Sequence, residues 1–208
     1  VLAQVYAEVQ QRFAGFDDLA HGWEHVKRVY TLAISIAEQE GANPFIAGMA
    51  ALLHDLGRLS HETTKHHADL SARLAVELLL PYRLAPEAQK AILHAITAHS
   101  YSLGIEPYTL EAGIVRDADR LDGIGAIGIL RWAITGTIRR TPQTQAYHPD
   151  DPFAEEHLPD DQAYMLDHFF TKLLKLPDGM ITKTGRRMAA QRVAFMRAYL
   201  DELRKELG

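Results

Sequence analysis

Cysteine is absent from the 208-residue sequence, which excludes disulfide bonds and thiolate metal sites. No apolar run reaches 18 residues, and no basic region followed by an apolar stretch opens the chain, so we expect a cytoplasmic protein without membrane contact. Positive charge is in deficit, with 22 Lys and Arg against 27 Asp and Glu. This balance argues against non-specific nucleic-acid binding, but local Arg and Lys can still bind a small anionic substrate.

Alternating strand patterns are also missing, whereas apolar residues recur every three or four positions along most of the chain. Hydrophobic residues make up 47% and charged residues 24%, which is typical of a globular protein. We therefore predict an all-α fold, a compact helical bundle that forms a single domain over residues 1–208. An oligomer is compatible with this composition.

Helix start and stop signals divide the first hundred residues. Asn43 is the expected N-cap of a helix with Pro44 at its first position, and Gly41 ends the preceding helix. The predicted helices are "VLAQVYAEVQQRF", "GWEHVKRVYTLAISIAEQEG", "NPFIAGMAALLHDL", "HHADLSARLAVELLL" and "PEAQKAILHAITAHS".

Glycine and proline residues interrupt the helical pattern in the second half of the chain. Three glycines after residue 122 predict a bend in a helical stretch from Thr109 to about Thr135. Four prolines predict that residues 141–161 form a long loop, which could serve as a lid over a site. Residues 162–208 are predicted to form C-terminal helices packed on the core, from "DQAYMLDHFFTKLLKL" and "TGRRMAAQRVAFMRAYLDELRKEL".

The stretch "AALLHDLGRL" places Asp55 directly after an apolar helix. Because a buried, ionised carboxylate is costly without a partner, we expect a divalent metal ion to compensate Asp55. Eight of the eleven histidines fall between residues 21 and 99, and His21 and His25 share a face if their helix begins near residue 18. Imidazole and carboxylate ligands suit Mn, Fe, Co, Ni or Zn better than Ca.

Each of these residues also has an ordinary structural interpretation. An isolated His-Asp pair is weak evidence, and His94 on an apolar helix is equally typical of a core residue. The carboxylates of "RDADRLD" can pair with Arg116 or Arg120. His61, His148 and His157 lie in polar segments, where we expect solvated side chains.

Four segments in order, "HGWEHVKRV", "ALLHDLG", "HAITAHSYS" and "DADRLDGIGAIGI", resemble the HD-domain phosphohydrolase superfamily, in particular its small stand-alone bacterial branch. The segments "DHFFTKLLKL" and "TKTGRRMA" are similar to the C-terminal signature of that branch, so the resemblance runs from about residue 17 to the end. It implies an all-α fold and a metal ion held by His25, His54, Asp55 and one later Asp.

Helix geometry and the family pattern together favour Asp119 as the later Asp. Asp119 and Asp122 are three apart and lie on one face, whereas Asp117 is roughly opposite Asp119. The family ligand follows an alanine, which matches Asp119, and Asp122 would orient a ligand, a water or the substrate. Asp117 is expected to have no role in the site.

A second metal ion is possible through His67 and His99, which are similar to histidines of some family branches. A single ion, with these histidines contacting phosphate, is equally compatible with the sequence. His94 and His99 lie about 140° apart on a helix, so they should not share one ion. The resident metal would be Mn, Fe, Co, Ni, Mg or Zn.

The resemblance implies hydrolysis of a nucleotide by a metal-activated water, with release of phosphate or pyrophosphate. Several relatives carry Glu at the position of Arg58. Because Arg58 replaces that Glu here, the sequence does not identify the residue that acts as the general acid. Expected catalytic residues are Asp55, Asp122, Glu62 and His99. Expected substrate ligands are His21, Arg28, Arg58, Lys65, His67, His94 and Arg120, with Arg131 nearby and Trp23, Tyr101 and Phe169 available to stack on a base or to pack in the core.

Two other functions are compatible with the same residues. The scaffold also supports a di-iron oxygenase in some relatives. The chain could also be a nucleotide-binding regulatory protein that has lost turnover. The presence of Arg58, where several relatives have Glu, is compatible with this function.

Overall fold

The computed structural model describes residues 1–60, 67–100 and 103–208, and within these ranges it contains nine α-helices and no strand. The all-α prediction is confirmed. The helices are α1 (Leu2–Arg12), α2 (Trp23–Glu40), α3 (Pro44–Leu53), α4 (His67–Leu79), α5 (Pro86–His99), α6 (Leu110–Asp122), α7 (Gly125–Arg139), α8 (His168–Thr171) and α9 (Lys183–Leu207).

The chain folds as two compact units. The first unit contains Val1–Asp119 and Ile181–Gly185, and the second contains Arg120–Met180 and Arg186–Gly208. The single domain predicted from sequence stays a prediction. No single helix in the described ranges is both long and apolar enough to cross a membrane, although α6 and α7 reach that length and hydropathy when counted together across their break.

Helix α3 is the centre of the first unit. The Asn43 side chain accepts hydrogen bonds from the backbone N–H groups of Phe45 and Ile46, and Pro44 begins the helix, as predicted. Every residue from 47 to 53 is buried, because α1, α2, α4 and α5 all contact this helix. The helix therefore delivers His54 and Asp55, which follow it directly, into the interior of the unit.

A glycine lies where α2 approaches α3. A Cβ atom on Gly48 would lie 2.7 Å from Cδ1 of Ile34 and 3.1 Å from Cε2 of Tyr30, so a larger residue would require these two side chains of α2 to move. This approach brings His25 of α2 towards the end of α3. However, α2 begins at Trp23, so the expectation that His21 lies within the same helix is wrong.

The second unit departs from the sequence prediction in one helix. The break between α6 and α7 lies at residues 123–124, where glycines predicted a bend, and residues 141–161 form the predicted loop. A lid role for this loop stays a prediction. The helix expected over residues 161–176 is wrong, because the region divides into the 3-10 helices Met165–Asp167 and Leu173–Gly179 on either side of α8.

Side-chain hydrogen bonds explain this interruption. The carboxylate of Asp161 accepts hydrogen bonds from His168 and Thr171, and the carboxylate of Asp167 accepts one from the backbone N–H of Asp160. Such local bonds compete with the helical hydrogen-bond pattern. Periodicity alone therefore overestimated the helix.

Candidate metal centre

His54 has a fixed orientation at the C-terminal end of α3. Its Nδ1–H donates to the backbone carbonyl of Ala51 over 2.7 Å, since this carbonyl can only accept. The lone pair of Nε2 is therefore directed away from α3. The ring is fully buried.

Four predicted ligands converge around this lone pair. His25 Nε2 lies 3.3 Å from His54 Nε2, 3.4 Å from Asp119 Oδ1 and 3.5 Å from Asp55 Oδ2. His54 Nε2 lies 3.6 Å from Asp55 Oδ2 and 3.9 Å from Asp119 Oδ1. The side chain of Asp119 is 31% exposed, whereas the other three residues are buried, so the group opens to solvent on the side of Asp119.

The donor set fits a divalent cation. Ligands about 2.1 Å from an ion and at right angles to one another are about 3.0 Å apart, close to the separations found here. Asp55 Oδ1 is buried and has no hydrogen-bond partner among the described residues. A buried carboxylate oxygen without a partner is costly, and a cation would compensate it.

The electrostatics of the group favour an ionised Asp55 and lower the pKa of the buried His54. Burial by itself raises the pKa of Asp55, but neighbouring charges and hydrogen bonds outweigh it and hold the pKa well below its usual value. Burial also lowers the pKa of His54, although Asp55 and Asp119 oppose that shift. The neighbours that hold Asp55 ionised are His54, His25, His67 and Arg58.

A second group of donors faces the other oxygen of Asp55. Oδ1 lies 3.3 Å from His67 Nε2, which in turn lies 3.3 Å from His99 Nε2. His99 Nδ1–H donates to the carbonyl of Ile96, so its Nε2 also presents a lone pair. Burial lowers the pKa of His99 to about 4, so at neutral pH this side chain can accept or coordinate but holds no acidic proton to give.

Gly57 explains how His67 reaches Asp55. The chain turns into the 3-10 helix Leu56–Leu59 directly after Asp55 and packs against the first turn of α4. A Cβ atom on Gly57 would lie 2.3 Å from the carbonyl oxygen of His67, so only glycine fits. The backbone N–H of Gly57 donates to the Ser71 hydroxyl, and that hydroxyl donates to the same His67 carbonyl.

Two other predicted site residues, His21 and Arg58, contact members of this group. His21 Nδ1 lies 2.9 Å from Asp18 Oδ2, and its ring contacts the ring of His25 edge-on at 5.9 Å between centroids. Arg28 follows His25 on α2 and is partly exposed. Arg58 Nε lies 2.7 Å from Asp55 Oδ2. The substrate-binding roles of these residues stay predictions.

Some predicted residues have other partners. His94 stacks on the ring of Tyr108, and its Nε2 accepts the Tyr108 backbone N–H. In the second unit, Arg120 donates to the carbonyl of Gly179, and Asp122 Oδ2 lies 3.0 Å from Arg131 Nη1. Their predicted roles also stay predictions.

The remaining predictions concern aromatic residues and residues that the structure does not describe. Phe169 is fully buried against Trp132 and Tyr199, so it belongs to the core rather than to a nucleotide-stacking surface. Trp23 packs edge-on against Tyr6. Glu62, Lys65 and Tyr101 lie outside the described residues.

Sequence reasoning missed two roles. Asp117, expected to have no role in the site, is a buried structural acceptor for the backbone N–H groups of Ile181 and Thr182. His157, expected to be solvated, has its Nδ1 2.8 Å from Asp151 and its Nε2 2.8 Å from Asp167. No local pattern reveals the role of Asp117, whereas the acidic residues around His157 were a usable signal.

The geometry agrees with comparisons to known proteins. The HD-domain family model matches residues 22–124. YpgQ of Bacillus subtilis is 36% identical over 193 residues, which cover 90% of this chain and 84% of YpgQ. Ribonuclease Y of Chloroflexus aurantiacus is 42% identical over 101 residues, but these are only 18% of that enzyme.

Solved structures extend the match to almost the whole chain. A crystal structure of YpgQ in complex with ADP has a TM-score of 0.75 at 33% identity and covers 99% of this chain and 94% of that one. An HD-superfamily hydrolase from Bacillus thuringiensis has a TM-score of 0.77 at 32% identity, with 99% and 95% covered. The chain therefore belongs to the HD-domain family and is similar over its length to small HD-superfamily hydrolases.

Proposed function

We propose that the protein is a metal-dependent phosphohydrolase that acts on nucleotides, releasing phosphate or pyrophosphate. The observation that carries the proposal is the meeting of two imidazoles and two carboxylates, those of His25, His54, Asp55 and Asp119, with Asp55 fully buried. When bound, a divalent cation supplies Lewis-acid polarisation of a phosphoryl oxygen and makes water more acidic. The ADP complex of YpgQ supports a nucleotide as the substrate class.

Different residues would bind the metal ion and the substrate. His25, His54, Asp55 and Asp119 would hold it, with the His54 ring oriented by Ala51. The side chains of Asp119 and Arg58 are 31% and 29% exposed, so both can be reached from solvent. A guanidinium there can donate to phosphate oxygens with its terminal nitrogens.

A second ion is part of the same proposal. The two oxygens of Asp55 face different histidines, Oδ2 towards His25 and His54 and Oδ1 towards His67. His54, Asp55 and His99 also lie close enough to share an ion. We therefore expect two metal ions per chain at saturation, with His67→Ala and His99→Ala each reducing the count to one.

The test is hydrolysis by purified protein loaded in turn with Mn, Mg, Co, Ni, Fe or Zn and given a panel of nucleoside mono-, di- and triphosphates. The expected result is release of phosphate or pyrophosphate, reduced to background by Asp55→Ala. Asp69→Ala, an exposed carboxylate on α4, is the matched control and should retain activity. Nucleotide binding without product under every metal would overturn the hydrolase and favour a regulatory protein.

A further inference from the structure

Asp55 Oδ2 has Arg58 on one side and two candidate metal-ligand histidines on the other. Arg58 Nε lies 2.7 Å from this oxygen, and the same oxygen lies 3.5 Å from His25 Nε2 and 3.6 Å from His54 Nε2. The guanidinium and a cation held by the histidines would therefore share one carboxylate oxygen. The other oxygen, Oδ1, faces His67.

The contact between Arg58 and Asp55 is an ion pair without an aligned hydrogen bond. Arg58 Nε is buried and has no hydrogen-bond partner within the described residues, despite its distance of 2.7 Å from Oδ2. An outer residue that orients a metal ligand does so through a directed hydrogen bond. Arg58 therefore acts on Asp55 through its charge, which is permanent in proteins.

The position of Arg58 allows its side chain to exchange partners. Its backbone is fixed in the 3-10 helix after Asp55, where the Arg58 N–H donates to the Asp55 carbonyl over 3.0 Å. Its side chain is nevertheless 29% exposed, so the guanidinium has solvent beside it. It can leave Oδ2 without disturbing the backbone of the site.

We propose that Arg58 is an internal counterion that competes with the divalent cation for Asp55, so that it weakens metal binding and moves off Oδ2 when the metal binds. This inference rests on the metal centre of the proposed function. Without metal, the buried carboxylate needs a positive partner, and Arg58 supplies it. With metal, the cation and the guanidinium repel each other across one oxygen.

The direct test is calorimetric titration of the metal-free protein with Mn²⁺ in the absence of nucleotide. We expect Arg58→Gln to bind Mn²⁺ about 10-fold more tightly than the wild type, because the substitution removes a positive charge that repels the cation at close range. Arg58→Lys keeps the charge and should remain close to the wild type. Arg12→Gln, an exposed arginine of α1 paired with Glu8, controls for loss of a distant charge.

The outcomes separate this inference from the proposed function. If Arg58→Gln binds Mn²⁺ no more tightly than the wild type, and the wild type does bind Mn²⁺, Arg58 does not compete with the metal. The metal centre of the proposed function is then unaffected. If no variant binds a metal, the metal centre is wrong and the inference falls with it.

A second readout needs no substitution. In the wild type, the Arg58 Nε–H resonance in a nitrogen-edited NMR spectrum should shift and exchange faster with water when diamagnetic Zn²⁺ is added. The Arg12 resonance should not change. An Arg58 resonance that is unmoved at saturating Zn²⁺ contradicts the displacement of the guanidinium.

Discussion

The backbone N–H of Gly57 donates a hydrogen bond of 2.9 Å to the hydroxyl of Ser71, which is fully buried. This bond joins the turn that follows Asp55 to the first turn of α4. The hydroxyl in turn donates a hydrogen bond to the backbone carbonyl of His67. The Ser71 side chain therefore links the turn after Asp55 to the start of α4, which carries His67. The position of His67 beside Asp55 Oδ1 depends on this link.

Ser71→Ala should therefore reduce stability. The substitution leaves the buried N–H of Gly57 without an acceptor, which costs about 1–3 kcal/mol. Urea denaturation of the metal-free protein measures the change. Thr31→Ala, which removes an exposed hydroxyl bonded only within α2, should leave the free energy of unfolding almost unchanged. Equal effects of the two substitutions would contradict the link.

Asp117→Ala should destabilise the protein without any direct effect on metal ligation. The carboxylate accepts hydrogen bonds from the Ile181 N–H, the Thr182 N–H and the Thr182 hydroxyl, at 2.8–2.9 Å. Hydrogen bonds to a charged acceptor are worth about 1.5–3 kcal/mol each, so a loss of about 3 kcal/mol or more is expected. Unfolding in a chelator measures it, with exposed Asp201→Ala as the control. A loss no larger than that of the control would show that the carboxylate is dispensable.

Metal should stabilise the fold through Asp55. At 100 times its dissociation constant, a ligand that binds only the folded state adds about 2.7 kcal/mol. For a chain of this size, this corresponds to a rise in Tm of about 5–10 °C. Thermal unfolding with Mn²⁺ and with a chelator should show this difference for the wild type and for Asp69→Asn. Asp55→Asn should show no difference, and a full shift in that variant would contradict the role of Asp55.

The segment 148–167 should loosen as pH rises. Both ring nitrogens of His157 face carboxylates, so the imidazolium form can donate to both, and these hydrogen bonds to Asp151 and Asp167 raise the pKa of His157 above 6.5. A group with a raised folded pKa stabilises fully below its unfolded pKa, about 6.5, and loses this contribution as pH rises through the folded value. The rings of His148 and Tyr164 also contact His157.

NMR titration of the His157 ring measures this pKa directly, and hydrogen exchange of residues 148–167, corrected for the intrinsic rate, measures the loosening. His157→Gln should remove the pH dependence of the exchange. A His157 pKa at or below 6.5 would refute the imidazolium bridge.

Local signals and the family resemblance together singled out the first group of donors from the sequence, and their role as metal ligands stays a prediction. Asn43 and Pro44 begin α3, whose apolar residues end directly at His54, and helix spacing separated Asp119 from Asp117. The order of His25, the His-Asp pair and the later Asp then placed them in one family. Their convergence within 3.3–3.9 Å agrees with that interpretation.

The features that the sequence did not predict depend on distant partners. Asp117 binds backbone groups 64 and 65 residues away, and no periodic pattern encodes such a contact. Gly57 is required because the carbonyl of His67 lies where its Cβ would be, and no local pattern indicates that contact. The helix predicted at residue 161 failed because Asp161 bonds to side chains of α8.

The most direct test of the metal centre is anomalous scattering from crystals of the protein grown with Mn²⁺. The account predicts a strong anomalous peak within about 2.0–2.3 Å of His25 Nε2, His54 Nε2, one oxygen of Asp55 and one oxygen of Asp119. No peak among these four side chains at saturating Mn²⁺, in crystals where all four are ordered, would contradict it.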